Sequence, residues 1–73
     1  MEHEWEICGT HGSWFRLVGH TNAAVRRWPS PNGKHMWQFR NTVSYANTVS
    51  EAKEYVEAAA EFFDVMRRNP YGV

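Results

Sequence analysis

The stretch TVSEAKEYVEAAAEFFDVMRR, residues 48–68, decides the fold class because it predicts one long amphipathic helix. Thr48 and Glu51 have the spacing of a capping box, in which a hydroxyl and a carboxylate three residues apart satisfy free backbone N–H groups. Apolar residues then recur at steps of three and four, which places them on one stripe. That stripe consists of Val49, Ala52, Val56, Ala59, Phe63 and Met66, with Tyr55 and Phe62 widening it. We expect the helix over about residues 49–68.

Four shorter segments before the helix alternate apolar and polar residues, as β-strands do. We place these strands at about residues 4–9, 14–19, 23–28 and 36–40. Turn-forming clusters at residues 10–13, 20–22 and 29–34 separate them, and such short connections favour antiparallel neighbours. The sequence therefore predicts an α+β fold. It is a three- to four-stranded antiparallel β-meander packed on one C-terminal α-helix, with residues 1–73 in a single domain.

Alternation assigns each predicted strand an apolar face and a mixed face. The apolar set, expected beneath the helix as the core, is Trp5, Ile7, Phe15, Leu17, Ala23, Val25, Trp37 and Phe39. The mixed set is Trp14, Arg16, Val18, Ala24, Arg26, Trp28, Met36, Gln38 and Arg40, with Glu4 and Glu6 at one edge. A sheet surface rich in Trp and Arg has the composition of a recognition surface.

Six residues of the mixed face form the predicted partner-binding site: Trp14, Arg16, Arg26, Trp28, Gln38 and Arg40. Trp and Arg supply large contact areas, stacking and directional hydrogen bonds to a protein partner. The same residue types suit nucleic acid, because Arg binds guanine and aromatic rings stack on unpaired bases. A structural alternative is that Trp and Arg on neighbouring strands only pack against each other.

The 73-residue chain contains four Trp, four Phe and three Tyr, which supply the apolar area that so small a domain needs. One cysteine, Cys8, cannot form an intramolecular disulfide and favours a reducing compartment. No apolar run approaches the roughly 20 residues that cross a bilayer, and the acidic start lacks the features of a signal peptide. We therefore expect a cytoplasmic protein that does not contact a membrane.

The net charge is zero, but the charges are sorted along the chain. Residues 9–47 contain five Lys and Arg and no acid, whereas residues 48–66 contain five acids and one Lys. A neutral total argues against strong non-specific binding of nucleic acid, while the sorting permits a local basic surface.

Metal binding and catalysis lack the residue patterns that they require. His3, Cys8, His11, His20 and His35 include zinc-ligand types, but they do not form the two tight ligand pairs of structural zinc sites. Cys8 and His11 supply a nucleophile and a base without an evident oxyanion site, and there is neither a pair of catalytic carboxylates nor a glycine-rich phosphate loop. We expect no metal, no cofactor and no enzymatic activity.

Two segments carry a resemblance to known proteins. The hairpin of residues 23–39, with Trp28 and Trp37, and the helix start TVSEAKEYVE resemble small phage- and prophage-encoded proteins. In outline, the chain is also similar to the strand-and-helix domains of AP2 type and to phage integrase arm-binding regions. Those domains bind DNA through Arg and Trp on their sheet. The resemblance implies that this role would fall on Arg16, Arg26, Trp28 and Arg40.

These observations leave three hypotheses. The first is a non-enzymatic phage or mobile-element accessory protein that binds a host protein through the exposed sheet face. It would act as an inhibitor or adaptor, and action against host defence is one such role. The second is a sequence-specific DNA-binding domain that uses the same face. The third is a small-ligand or nucleotide-binding oligomer.

An exposed aromatic patch on so small a domain also permits a homodimer. The alanine run at residues 58–60 suits tight packing of the helix on the sheet, or close approach of a second backbone.

Overall fold

The computed structural model describes residues 3–68 and contains a five-stranded antiparallel sheet followed by one helix. In chain order the elements are β1 (Trp5–Cys8), a 3-10 turn (Thr10–Gly12), β2 (Trp14–Leu17), β3 (Ala23–Arg26), β4 (His35–Phe39), β5 (Thr42–Ala46) and α1 (Val49–Arg68). The α+β class and the C-terminal helix are confirmed. The expected count of three to four strands is wrong, because a fifth strand lies between the last expected strand and the helix.

The strands form a meander in which each pairs antiparallel with its neighbours in the sequence, in the order β1-β2-β3-β4-β5. The register is continuous across the sheet: Glu6 pairs with Arg16, Arg16 with Ala24, Ala24 with Gln38, and Gln38 with Val43. Because side chains alternate between the two faces, this row of five residues lies on one face of the sheet.

Strand β5 was not expected because the turn before it has Arg40, rather than Gly or Asn, at the position with positive φ. Residues 40 and 41 connect β4 to β5, and Arg40 takes the left-handed backbone conformation, with φ of 55°. Two-residue hairpins commonly use Gly or Asn where φ is positive, so an Arg at this position hides the turn from sequence analysis.

Strands β1, β2 and β3 are shorter than expected, and β4 has the expected length but lies one residue earlier. Gly9 and Gly19 have φ of 84° and 89°, so β1 stops at Cys8 and β2 stops at Leu17. A Cβ added to Gly9 would lie 2.8 Å from Cδ1 of Trp14, which shows how tightly this turn folds against the next strand. Trp28 lies in a bend beyond the end of β3.

Helix α1 begins with the hydrogen bonds that its sequence indicates. The Thr48 hydroxyl accepts a hydrogen bond from the backbone N–H of Glu51 at 3.0 Å. The Glu51 carboxylate accepts one from the backbone N–H of Asn47 at 3.1 Å, one residue earlier than in a standard capping box. The first bond satisfies an N–H group that the helix start would otherwise leave free, and the second ties the residue before Thr48 to the first turn.

The core lies between α1 and one face of the sheet. Its buried members are Leu17, Ala23, Val25, Phe39, Ala46, Ala52, Val56 and Ala60, and Trp5, Phe15, Trp37, Val49, Ala59 and Phe63 pack partly buried against them. The small side chains of Ala52 and Ala60 allow the helix to approach the sheet closely.

One residue of the expected sheet core and three residues of the expected helix stripe are exposed. Ile7 in the edge strand β1 is 55% exposed, and Tyr55, Phe62 and Met66 on α1 are 48%, 69% and 41% exposed. The geometry explains both groups, because one helix is about 10 Å wide whereas five strands at about 4.8 Å spacing form a sheet roughly twice as wide. A single helix therefore leaves the edges of the sheet, and its own side toward β5, accessible to solvent.

Candidate functional site: the open face of the sheet

The sheet face opposite α1 is uncovered in residues 3–68, and we refer to it as the open face. Its strand residues are Glu6, Cys8, Trp14, Arg16, Ala24, Arg26, Met36, Gln38, Val43 and Tyr45. Trp14 is half-buried, while Val43 and Tyr45 are 53% and 48% exposed. Exposed apolar and aromatic side chains are therefore present on the β5 side of this face.

An ion pair stands at the β1 side of the open face. The Arg16 guanidinium donates from both Nε, at 2.8 Å, and an Nη to the same carboxylate oxygen of Glu6, which is its cross-strand neighbour. This hydrogen bond and the charge of Glu6 raise the pKa of Arg16 above its ordinary value. Both side chains are about half exposed, so the pair orients Arg16 and contributes little to stability.

A cation–π pair lies on β2 and β3, at the end of the open face next to the β3–β4 connection. Arg26 and Trp14 are cross-strand neighbours, and the guanidinium carbon of Arg26 lies 5.3 Å from the centroid of the Trp14 ring. Such a contact at an exposed site contributes about 0.5–1 kcal/mol. This contact is the cross-strand packing expected if Trp and Arg only pack against each other. It also fixes the positions of two exposed or half-buried side chains that a partner could contact.

A shallow depression lies between these pairs. Its volume is about 240 Å³, and it is lined by Cys8, Trp14, Arg16, Asn22, Ala23, Ala24 and Gln38. The methyl side chain of Ala24, between Arg16 and Gln38 in the register, produces the low point. Sites for small molecules usually enclose about 300–1,000 Å³, so this depression suits a single inserted side chain better than a metabolite.

Four of the six predicted site residues lie together on the open face: Trp14, Arg16, Arg26 and Gln38. Arg40 does not join them. It occupies the β4–β5 turn, and its guanidinium carbon lies 4.5 Å from the ring centroid of Phe63 on α1, on the opposite side of the sheet. Its positive φ interrupts strand alternation, which is why the expected face is wrong.

Trp28 and Val18 were expected on the open face, but both lie outside the strands. Val18 is in the β2–β3 turn and Trp28 in the bend after β3. The Trp28 ring is 46% exposed, and the guanidinium carbon of Arg27 lies 5.4 Å from its centroid. Trp28 therefore belongs to the end of the sheet rather than to the open face.

Sequence analysis missed Val43 and Tyr45, which place exposed apolar surface on the open face. Residues 42–46, Thr-Val-Ser-Tyr-Ala, alternate in polarity and are rich in β-formers, so the signal was present. It was masked because the segment is short and stands directly before a strong helix start.

The described residues offer no constellation for metal chemistry. Within residues 3–68, no three His, Cys, Asp or Glu side chains come together in a group that could hold a metal ion. Cys8 is partly exposed on the open face, and His20 on the opposite side lies 3.4 Å from a carboxylate oxygen of Asp64. In the same part of the chain, no helix combines the length and apolar character needed to cross a bilayer.

Comparison with family models, with curated proteins and with solved structures gives no match for this chain.

Proposed function

We propose that this chain is a non-enzymatic binding module whose open face contacts a protein partner. The observation that carries the proposal is the uncovered face itself. It combines the oriented Trp14–Arg26 pair, exposed Val43 and Tyr45, and a depression of the size of one side chain. Aromatic and Arg anchors around a small pocket are typical of the energetic centre of a protein interface.

The charges of the open face favour a protein over nucleic acid. Arg16 is hydrogen-bonded to Glu6, so part of its capacity to bind phosphate is already used. Glu6 balances Arg16, so Arg26 is the one charged strand residue of the open face without an opposite charge as its cross-strand neighbour. A face with so small a positive charge attracts a phosphate backbone weakly.

For the finer role, we propose a phage or mobile-element accessory protein that binds a host protein as an inhibitor or adaptor, including one that acts against host defence. The support is the resemblance of the residue 23–39 hairpin and of the helix start to phage- and prophage-encoded proteins. The proposal needs no catalytic step, because occupying the partner's surface is sufficient for inhibition. It also places the protein in the cytoplasm.

A second candidate is DNA binding at the end of the sheet that carries the β3–β4 connection. Arg26, Arg27 and Lys34 cluster there in the sequence around the exposed ring of Trp28, and no acid occurs between Glu6 and Glu51. Basic groups beside an exposed aromatic ring are the elements of a stacking site for bases. The site differs from the AP2-like arrangement, because Arg40 lies elsewhere. A small ligand or nucleotide would need a larger pocket assembled by oligomerisation.

The test uses two double variants of the same strand. Val43→Lys with Tyr45→Lys changes the open face, while Thr42→Lys with Ser44→Lys adds the same charge to the opposite side of β5, where both residues are exposed. Each tagged variant is used to capture partners from a lysate of host cells, and captured proteins are identified by mass spectrometry.

We expect the wild type and the Thr42/Ser44 variant to capture the same protein at stoichiometric level, and the Val43/Tyr45 variant to lose it by at least tenfold. Equal capture by all three proteins would refute the assignment of the open face. In parallel, labelled duplex and single-stranded DNA are titrated at low and moderate salt. Micromolar, salt-sensitive DNA binding that disappears with Arg27→Ala and Lys34→Ala would establish the second candidate instead.

A further inference from the structure

The side of α1 that faces β5 carries exposed apolar residues. Tyr55, Ala58, Phe62 and Met66 follow one another at steps of three, four and four, which places them on one stripe of the helix. Tyr55, Phe62 and Met66 are 48%, 69% and 41% exposed, and Ala58 is also exposed. These four residues are hereafter the helix flank. Tyr55 stacks on Trp37 of β4 with ring centroids 5.6 Å apart, so the flank borders the sheet at β4.

The other side of α1 is occupied by contacts with the first two strands. The Trp5 indole N–H donates to a carboxylate oxygen of Glu57 at 2.8 Å. The Lys53 ammonium lies 4.1 Å from the ring centroid of Phe15. One side of the helix is thus closed by polar and cation–π contacts, while the helix flank has no comparable cover within residues 3–68.

We propose that the helix flank is the contact between two copies of this chain, with their helices antiparallel around a two-fold axis beside Ala58. The midpoint between Tyr55 and Phe62 falls at residues 58–59. Antiparallel packing about that point places each Tyr55 against Phe62 of the partner subunit. Aromatic pairs of this kind are favourable beyond their buried area. The methyl side chain of Ala58 at the centre allows the two backbones to approach to the 8–10 Å typical of packed helices.

The charges along α1 favour a second copy in this orientation. Glu51 and Glu54 stand four residues before Tyr55 and Ala58, so both acids lie toward the flank side in the first half of α1. Arg40 places a positive charge beside the second half, through its contact with Phe63. Antiparallel packing places the acidic first half of each flank against the half of the other helix that Arg40 contacts, and it also aligns the helix dipoles favourably. Parallel packing would bring the two acidic halves together.

The size of the helix flank sets the expected strength. Its three large side chains expose roughly 300 Å² per subunit, taking about 200 Å² for each full side chain. Two such surfaces bury about 600 Å² in all, which is below the roughly 1,200 Å² of a stable specific interface. We therefore expect a reversible dimer with a dissociation constant on the order of 10–100 μM.

Sedimentation equilibrium of the full chain between low micromolar and millimolar concentration tests the proposal. We expect a reversible monomer–dimer equilibrium that Phe62→Glu weakens by at least tenfold. Val18→Glu is the matched control, because Val18 is 40% exposed in the β2–β3 turn and is not part of the helix flank, and the change adds the same charge. A monomer at all concentrations, or a dimer that Phe62→Glu leaves intact, would overturn the proposal. Circular dichroism verifies that each variant is folded.

Disulfide cross-linking distinguishes the orientation. In a Cys8→Ser background, Ala58→Cys lies next to the proposed axis and should form a disulfide with its own copy under mild oxidation. Residue 66 lies about 11 Å along the helix from the two-fold axis, at about 1.5 Å per residue, so the two copies of Met66→Cys lie far apart in an antiparallel dimer. They should cross-link at least tenfold more slowly. Equal cross-linking at both positions would indicate parallel helices and would contradict the proposed dimer.

Discussion

Two valines of α1 provide a test of how the helix packs on the sheet. Val56 is fully buried in the core, whereas Val65, nine residues later on the same helix, is 59% exposed and lies outside the helix flank. The same change, valine to alanine, therefore probes burial alone. We predict that Val56→Ala strongly destabilises the protein and that Val65→Ala does not.

The magnitude follows from the atoms removed. Two methyl-sized groups at about 0.8 kcal/mol each lose about 1.6 kcal/mol of transfer free energy. The cavity left between α1 and the sheet raises the expected loss at Val56 to about 2–3 kcal/mol. For a domain of this size, that loss lowers the Tm by about 10–20 °C. Val65→Ala should stay within about 0.5 kcal/mol of wild type, because alanine also has the higher helix propensity.

The assay is thermal and urea unfolding followed by circular dichroism at low micromolar concentration, where the proposed dimer is dissociated. The difference between the two variants should appear as a shift of the midpoint at unchanged m-value. Equal losses, or a larger loss for Val65→Ala, would mean that a different face of α1 packs on the sheet, and the core described above would be wrong.

Two further stability predictions use matched pairs. Thr48→Ala removes the hydroxyl that accepts a hydrogen bond from a helix N–H and should lower the free energy of unfolding, measured in urea, by about 1 kcal/mol. Ser50 is exposed in the first turn, so Ser50→Ala should lower it by less than half of that. Equal losses would contradict the capping role of Thr48. Trp5→Phe loses the indole hydrogen bond to Glu57, while the Trp37 indole N–H has no acceptor among the described residues. Trp5→Phe should therefore destabilise by about 1 kcal/mol more than Trp37→Phe, and the reverse order would refute the assigned bond.

The helix and much of the sheet were predictable because their signals are local. The Thr48 and Glu51 spacing, the three- and four-residue periodicity and the glycines at strand ends each act within a few residues of chain. The pairing of Trp14 with Arg26 on one face also follows from simple alternation once the strands are placed. Each of these features is determined by residues that are close together in the sequence.

Other features depend on distances that no local pattern encodes. Arg40 adopts a conformation usual for Gly or Asn, which hid β5 and moved Arg40 to the opposite side of the sheet. The exposure of Phe62 and Met66 follows from the width of the sheet relative to one helix, and that ratio was unknown until β5 was located. The candidate site changed for the same reason, since Val43 and Tyr45 joined the open face and Arg40 left it.

The most direct test of the central claim uses two tyrosines that are equally exposed, each at 48%. A photo-crosslinking phenylalanine analogue replaces Tyr45 on the open face or Tyr55 on the helix flank, and the protein is irradiated in host cells. We predict that position 45 captures one other protein and that position 55 yields mainly an adduct of two copies of this chain. A protein partner captured only from position 55, or nucleic acid captured from position 45, would contradict the claim that the open face binds a protein.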